Sequence, residues 1–375
     1  MKKKLLLNFV YWMPVGHVIE AIKYAKGFAD SNKNLDIYVA LNSATTIELA
    51  KACSWIKEVY SINIENILSS FQNIPKKWDY IVSDKRSQNL GNSGYEQKMK
   101  RYYDLCEKHF SASWKGYTKC WYGKDLPEEL KYKPNSKINL KIPTSAIKHV
   151  KKFLKKDKFR ITVLLAGSAN AGEYPSIGSW IKILKEIKNK YPEVNFYITG
   201  YNKPQNGRTS TNAYSDQDLR RLFREIEAIN CYNIGLWNQI ALIKESDIFF
   251  SPHTGFAFLA MCVGTPWLTL SGGNWPEYIF NNVSFYSVLP KTKEYPFYAS
   301  KIKFNKLNIE EKRRACKMDE AGIKERILDI INGIKLLRSK YFTYSKAMQQ
   351  HIKNINRAEI NKKALFLFDS VEKII

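Results

Sequence analysis

Cysteine is scarce and unpaired in this sequence. Only six cysteines occur among 375 residues, and no two of them stand in a Cys-x-x-Cys spacing. Disulfide frameworks and zinc sites repeat their cysteines at short, regular spacings, so this pattern argues against both classes. The cysteines are expected to be reduced core residues of a cytoplasmic protein; they are Cys53, Cys106, Cys120, Cys231, Cys262 and Cys316.

Metal-ligating patterns are also missing. The five histidines include His109, His149 and His351, each isolated on a charged stretch with helical character. No Asp-x-Asp motif follows an apolar strand, which is where a metal-dependent transferase would carry one. The sequence therefore predicts that the protein holds no metal.

Acidic residues are few relative to basic ones. Sixty Lys and Arg stand against 35 Asp and Glu, giving a formal net charge of +25. Such a charge attracts phosphorylated substrates, an anionic membrane or nucleic acid, but it carries no information about the fold. Internal repeats and low-complexity tracts are absent from the sequence.

Charge is absent altogether from residues 248–276. Roughly 20 apolar residues would cross a bilayer, yet this run is interrupted by Ser251-Pro252-His253-Thr254-Gly255 and by Gly264-Thr265-Pro266. Each break would leave backbone polar groups unpaired in lipid, so we interpret the run as part of a parallel α/β sheet. It predicts strands over 247–251 and 267–270 with a short buried helix over 255–263 between them.

The amino-terminal residues resemble a signal peptide in their basic start and the apolar stretch that follows. Met1-Lys2-Lys3-Lys4 precedes an apolar stretch, but Asn8 interrupts that stretch and no small-residue cleavage site follows. We therefore expect a first strand over Leu5–Val10, and an amphipathic helix that opens at Gly16.

The first half of the chain alternates strands and helices. Strands are predicted over 35–41, within 55–62 and over 78–83, with a helix over 45–52. The basic, aromatic stretch 95–122 has two interpretations: an amphipathic helix with an aromatic core stripe, or a wall that binds an acceptor. Prolines at 134 and 143 mark a domain boundary, after which a charged helix (146–157) leads into the strand 159–166.

Small residues follow successive strands of the second half. Because parallel strands end at one edge of their sheet, we expect these loops to lie together, where such sheets bind ligands. Glycine lets the backbone approach a phosphate, and Thr254 offers a helix cap. An ordinary strand–loop–helix connection is the alternative for each loop. The loops are Gly167-Ser168, Gly200, Gly207-Arg208-Thr209, His253-Thr254-Gly255 and Ser271-Gly272-Gly273.

The run from Ser246 to Glu277 resembles the donor-binding segment of GT-B glycosyltransferases, and most of all the heptosyltransferase-like family 9. The residues that follow the family pattern in order and spacing are His253-Thr254-Gly255, Leu259-Ala260 and Gly264-Thr265-Pro266. Two positions depart from it, since His253 replaces an acidic residue and Phe258 replaces a helix histidine. A histidine at that loop is similar to the phosphate-contacting histidine of other GT-B families.

This resemblance implies an α/β fold of GT-B architecture. Two Rossmann-like, doubly wound domains would face each other across a cleft, with C-terminal helices crossing back to the first domain. Residues 1–145 would form the acceptor domain, residues 146–335 the nucleotide-sugar donor domain, and residues 336–375 a helix packed on the first domain.

The resemblance also implies a set of donor contacts. Arg208 would supply the charge for the pyrophosphate, because Glu173 stands where the family commonly has a basic residue; a surface arginine is the alternative. Glu277, at the start of a predicted helix, would bind sugar or ribose hydroxyls. The alternative is that its carboxylate only interacts favourably with the positive end of the helix dipole. The full set is Gly16, Gly167, Ser168, Gly200, Arg208, Thr209, His253, Thr254, Gly255, Gly272 and Glu277.

His17 is the candidate catalytic base. It follows the first strand, where GT-B families carry a Gly-Asp or Gly-His base, and an unperturbed imidazole with a pKa of ~6.5 suits proton abstraction at neutral pH. Glu20, one helical turn later, would orient His17 or serve instead. Capping or packing at the helix start is the structural alternative for His17.

Together these features predict an inverting, metal-independent glycosyltransferase without a cofactor. Its partners would be a nucleotide-diphosphate sugar and a saccharide, lipid-linked or small-molecule acceptor. We expect it in the cytoplasm, with a peripheral contact to the anionic inner membrane face as an option, and we do not expect nucleic acid as the partner. The alternatives are a GT-B sugar-nucleotide epimerase and a non-enzymatic basic protein that binds nucleic acid or anionic membrane.

Overall fold

The described residues form two compact units. The computed structural model describes residues 2–11, 14–84, 93–118, 126–134, 136–155, 158–168, 170–202, 211, 213–272, 277–279, 283–296, 304–358 and 365–367. Those before Ile142 form the first unit, and those from Ile142 onward form the second.

The first unit is a parallel sheet whose strands alternate with helices. Its strand order is β3-β2-β1-β4-β5, with every pairing parallel. The elements are β1 (Lys3–Phe9), α1 (Val15–Ser31), β2 (Leu35–Asn42), α2 (Ile47–Lys51), β3 (Glu58–Ile62), α3 (Ile67–Phe71), β4 (Lys77–Ser83), α4 (Gly94–His109) and β5 (Ser111–Tyr117).

The central strand of this sheet explains its continuous apolar sequence. Leu5, Leu6 and Leu7 are all fully buried although successive side chains point to opposite faces. A parallel sheet is covered on both faces, so its inner strands lack the alternation of a half-exposed strand. The resulting register aligns Leu6 with Tyr38 of β2 and with Ile81 of β4.

The second unit contains a larger parallel sheet and most of the helices. Its main strands follow the order β12-β10-β9-β6-β7-β8, and β11 pairs with β13 separately. The elements are α5 (Thr144–Lys151), β6 (Phe159–Leu164), α6 (Ile177–Lys190), β7 (Val194–Gly200), α7 (Asp216–Ile226), β8 (Ile229–Tyr232), α8 (Leu236–Lys244), β9 (Ile248–Pro252), α9 (Leu259–Val263), β10 (Trp267–Leu270), β11 (Glu277–Ile279), β12 (Phe285–Val288), α10 (Ile309–Ala315), α11 (Glu320–Lys324), α12 (Ile327–Leu337), α13 (Tyr344–Ala358) and β13 (Leu365–Leu367).

Both sheets are doubly wound, as the sequence predicted. In each of them the first strand lies inside the sheet, and the chain builds outward first to one side and then to the other. The uncharged run 248–276 supplies β9, α9 and β10, with a 3-10 helix over Gly255–Phe258 before α9. No helix in the described ranges combines the length and the apolar character that a membrane span requires.

Three sequence predictions about secondary structure were wrong. The stretch 95–122 is not one helix, because α4 ends at His109 and β5 pairs with β4. Glu277 does not begin a helix; it begins β11. The C-terminal segment is not helical to its end, because α13 stops at Ala358 and β13 pairs with β11. In each case the partner strand is distant in sequence, so local propensity could not reveal it.

The described part of the C-terminal segment packs within the second unit. Phe285 of β12 contacts the rings of Tyr344 and His351 on α13, at centroid distances of 6.3 and 5.4 Å. Its expected crossing to the first domain stays a prediction.

Candidate functional site

The second sheet has a topological switch point at β6. This strand has β7 on one side and β9 on the other. From the end of β6 the chain continues to β7, and from the end of the neighbouring β9 it continues in the opposite direction, to β10. Open parallel sheets bind ligands in the crevice that forms there, outside the carboxyl ends of the strands. The loops at this point are Leu165–Ser168 after β6 and His253–Thr254 after β9.

These two loops are in direct contact. A Cβ atom on Gly167 would lie 2.7 Å from Cγ2 of Thr254 and 2.9 Å from the hydroxyl of Tyr174. Only glycine fits without a shift of its neighbours, so the glycine at this position is required by the close approach of the two loops. The structure thus brings together Gly167 and Thr254 from the predicted donor set.

Thr254 also shapes the turn into the next helix. Its backbone is extended (φ −147°, ψ 158°), and its Oγ1 accepts a hydrogen bond from the amide of Ala257 at 3.3 Å. This is the capping role expected from the sequence, and it sets the direction of the 3-10 helix that begins at Gly255. Gly255 itself is exposed, as is Ser168 on the neighbouring loop.

His253 is held against the strand next to its own. Its ring makes an edge contact with Trp267, with centroids 4.8 Å apart and planes at 76°. Trp267 is fully buried, and its indole N–H donates to Ser251 Oγ at 2.9 Å. A half-exposed imidazole next to the Gly167–Thr254 contact is therefore fixed in place by packing, and it offers a polar group at the switch point.

Two other predicted glycines have packing roles. A Cβ atom on Gly200 would lie 2.6 Å from the Tyr232 ring and 2.7 Å from Oγ1 of Thr211. One on Gly272 would lie 2.6 Å from Cε of Met318 and 3.0 Å from the carbonyl oxygen of Cys316. Both positions lie at the expected sheet edge, but these contacts within the unit already explain the absence of a side chain.

Three predicted donor contacts cannot be placed as side chains. Arg208 and Thr209 lie outside the described residues, and Glu277 is described only as backbone of β11. Gly16 is buried in the first turn of α1, in the first unit.

Two buried arginines near the strand ends were missed by the sequence analysis. Arg326 is 2% exposed and donates through Nη2 to the carbonyls of Ser271, at 2.5 Å, and of Val288. Arg313 donates to the carbonyls of Tyr174, at 3.2 Å, and of Ala171, at 3.4 Å. Each guanidinium thus holds a loop that follows a strand. A basic run predicts a solvated face, which is why their burial gave no sequence signal.

The first sheet has its own switch point, between β1 and β4. Asp84 follows β4, is 2% exposed, and donates its amide to the carbonyl of Asn8 at 2.9 Å. This buried carboxylate lies at the same edge as the loop that leads from β1 into α1. Asp84 directly follows the strand predicted over 78–83, and no role was predicted for it.

His17 and Glu20 form a pair on the first turns of α1. His17 Nδ1 lies 3.2 Å from Glu20 Oε2, and both side chains are partly buried. Tyr24 donates to Oε1, the other oxygen of Glu20, at 3.4 Å. Pro14 rather than His17 is the N-cap residue of this helix. If Nδ1 carries the proton that faces Glu20, then Nε2 is left as the acceptor, which is the arrangement a general base needs.

Metal ligands are not gathered in the described part of the chain. None of its His, Cys, Asp and Glu side chains form a group of three or more that could hold a metal ion. All five cysteines within it are buried as free thiols. Burial raises the pKa of Cys231 to about 12, so that thiol stays protonated and unreactive at neutral pH.

Comparison with solved structures identifies the fold. A glycosyl transferase family 9 protein from Veillonella parvula DSM 2008 has a TM-score of 0.54 and 10% identity, over 88% of this chain and 97% of that one. The E. coli heptosyltransferase WaaC, solved with ADP, has a TM-score of 0.50 and 10% identity, over 95% and 99%. The iron-containing dodecameric glycosyltransferase TibC from enterotoxigenic E. coli H10407 has a TM-score of 0.50 and 12% identity, over 89% and 77%.

At these identities the similarity establishes the fold and nothing finer. This chain has the GT-B-type α/β fold of those glycosyltransferases, which confirms the fold expected from the resemblance of residues 246–277. No known family profile matches the sequence, and no curated protein matches it.

Proposed function

We propose that this protein is an inverting, metal-independent glycosyltransferase of the family 9 type. It would move a sugar from a nucleotide diphosphate to a hydroxyl group of a saccharide, lipid-linked or small-molecule acceptor. The observation that carries the proposal is the contact between Gly167 and Thr254 at the switch point, in a fold shared with glycosyltransferases. Two backbone loops that meet at the strand ends form the kind of surface against which a diphosphate binds.

The second unit would bind the donor. Backbone N–H groups of the loops at Gly167-Ser168 and Thr254-Gly255 would donate to the diphosphate, with His253 as a further donor. These groups are oriented before the ligand arrives, because packing and capping fix both loops. Preorganised donors stabilise charge that develops on a leaving group more effectively than water does.

The first unit would supply the base. His17 Nε2 would take the proton from the acceptor hydroxyl as its oxygen attacks the anomeric carbon, and Glu20 would stabilise the imidazolium that forms. The new bond joins the acceptor oxygen to the sugar. The bond to the nucleotide diphosphate breaks with its electron pair on the phosphate oxygen, and the single displacement inverts the anomeric centre. This displacement needs no metal or cofactor, because every bond formed or broken and the transferred proton are accounted for.

The nucleotide and the location are part of the proposal. The WaaC structure was solved with ADP, so ADP-sugars are the first donors to test. We place the protein in the cytoplasm, where nucleotide sugars are made, with its net charge of +25 favouring acceptors at an anionic membrane surface.

Calorimetric titration with ADP, GDP and UDP, and with their sugar conjugates, tests the donor site. Saturable binding that requires the diphosphate supports the proposal. Affinity for any polyanion, falling steeply with added salt, would instead identify a basic binding protein.

Product analysis with and without acceptors, in the presence of EDTA, then tests transfer. Conversion of the sugar nucleotide without an acceptor would indicate an epimerase, and loss of transfer in EDTA would contradict metal independence.

A further inference from the structure

The loop that follows β6 is fastened at both of its ends by Tyr214. Residues 165–175 form this loop, the β6 loop, and all of them except residue 169 are described. The Tyr214 hydroxyl lies 2.8 Å from the carbonyl oxygen of Pro175, where the loop ends, and 3.2 Å from that of Leu165, where it begins. The indole N–H of Trp180 donates to the Leu165 carbonyl and to the Tyr214 hydroxyl, each at 3.0 Å. One hydroxyl group therefore holds the two ends of the loop together.

Arg313 holds the returning part of the same loop. Its Nε and Nη2 donate to the carbonyls of Tyr174 and Ala171, at 3.2 and 3.4 Å, and its Nη1 pairs with Glu310. All three nitrogen atoms of the guanidinium are thus engaged by the protein itself. A Cβ atom on Gly167 would lie 2.9 Å from the Tyr174 hydroxyl. The residue whose carbonyl Arg313 holds therefore packs directly against Gly167.

Both side chains act on the backbone of the loop. Burial raises the pKa of Tyr214 well above its usual value, so the hydroxyl keeps its proton and remains a donor. Arg313 is 9% exposed, which leaves it little access to a bound molecule. The groups that the proposed function assigns to the diphosphate are instead the backbone N–H groups at Gly167 and Ser168, at the start of the same loop.

We infer that Tyr214 and Arg313 are positioning residues for the nucleoside-diphosphate donor, which hold the β6 loop in the shape that its N–H groups need to bind the diphosphate. This inference rests on the glycosyltransferase proposal above. Ordering a loop costs conformational entropy, and a loop that is ordered before the ligand arrives leaves less of that cost to binding. Tyr214 precedes α7 and Arg313 lies on α10, so two contacts from separate parts of the chain fix one loop.

Tyr214→Phe and Arg313→Lys test this inference. Tyr214→Phe removes only the hydroxyl that joins the ends of the loop. Arg313→Lys keeps the positive charge but replaces the planar fork with a single ammonium group, which cannot hold two carbonyls in the same geometry. A role of Arg313 that depended on its charge alone would survive this substitution.

Tyr197→Phe and Arg160→Lys are the matched controls in the same unit. The hydroxyl of Tyr197 accepts a hydrogen bond from the amide of Lys155 at 3.0 Å. Arg160 donates to the carbonyls of Lys155 and Glu245, at 3.4 and 2.9 Å. Each control therefore loses the same kind of contact as its test variant. Both contacts involve Lys155, which precedes β6, whereas the β6 loop follows it.

Two quantities are measured on each folded protein: the hydrogen exchange of the β6-loop amides without ligand, and the dissociation constants of ADP, GDP and UDP. We expect the amides of both test variants to exchange about three- to tenfold faster, because one hydrogen bond that closes the loop is lost. The nucleoside diphosphate should bind about three- to tenfold more weakly for the same reason. The controls should change less than about twofold in both quantities, because their contacts lie elsewhere.

The two quantities together separate positioning from other roles. Weaker binding with unchanged exchange would mean that the side chain contacts the donor itself. Faster exchange with unchanged binding would mean that the contact only stabilises the fold. Either result, or no change in both quantities, overturns the inference for that residue. If one variant does not fold, the other decides for the loop. A wild-type protein that binds no nucleoside diphosphate would overturn the proposed function, and the inference with it.

Discussion

The backbone of Gly167 lies against the side chain of Thr254, at a distance that leaves no room for a methyl group. This contact joins the loop after β6 to the loop after β9, which are the two loops at the switch point of the second sheet. A single added carbon atom therefore tests whether the proposed donor site depends on their close approach.

Gly167→Ala should weaken donor binding and lower stability. The new Cβ atom would force Thr254 or Tyr174 to move, and overpacking of this kind costs about 1–3 kcal/mol. Urea unfolding measures that cost, and titration with ADP measures binding. Gly94→Ala is the control, because a Cβ atom there meets nothing within 4 Å. Unchanged ADP affinity in a destabilised Gly167→Ala variant would separate this contact from ligand binding.

His17→Ala should abolish most of the transferase activity while the protein stays folded. General base catalysis contributes about 10²- to 10⁴-fold, so kcat should fall by a factor in that range. Steady-state rates at saturating donor check this, with circular dichroism as the test of folding. His149→Ala, an exposed histidine on α5, should retain wild-type turnover. Near-normal turnover by a folded His17→Ala protein would remove His17 as the base.

Tyr24→Phe should impair turnover without affecting donor affinity. The variant keeps the ring contact with Phe9, at 5.6 Å, and removes only the hydroxyl that donates to Glu20. Loss of one hydrogen bond that orients Glu20 should lower kcat by about two- to tenfold. Parallel measurement of kcat and of the ADP dissociation constant separates orientation from binding. A wild-type kcat would mean that Tyr24 only packs in the core.

Apolar patterning predicted most strands and helices of both sheets. The bounds of β10 match the predicted range 267–270, because a buried strand ends where its apolar run ends. The strand β5 was missed because its sequence, Ser-Ala-Ser-Trp-Lys-Gly-Tyr, is polar and aromatic, and its partner β4 is distant in the chain. Tertiary pairing decided its conformation, and local propensity did not.

Sequence reasoning predicted that the candidate loops follow strands of the second sheet, but it could not assign the packing partners of their glycines. Gly167 faces the neighbouring loop, whereas Gly200 and Gly272 face Tyr232 and Met318. Those partners come from other elements and have no signature at the glycine itself. The burial of Arg313 is equally invisible in a basic run, since charge alone predicts exposure.

His109 should make the protein less stable in mild acid. Burial and the nearby Lys76 ammonium lower the pKa of His109 from its usual 6.5, and they outweigh a hydrogen bond with the Phe71 backbone that raises it. The folded protein therefore binds fewer protons at this ring than the unfolded chain does. The stabilising contribution is complete above pH 6.5 and is lost as the pH falls through the lowered pKa.

His109→Phe tests this relation because it keeps the aromatic contacts. The His109 ring lies 4.7 Å from that of Phe71 and 4.9 Å from that of Phe110, and phenylalanine can make the same contacts without titrating. Urea unfolding at about pH 8 and about pH 5 should show a smaller loss of unfolding free energy in the variant than in the wild type. His149→Phe, on an exposed surface, should show the wild-type loss. Equal losses in all three proteins would mean that His109 stays neutral, or charges freely, in both folded and unfolded states.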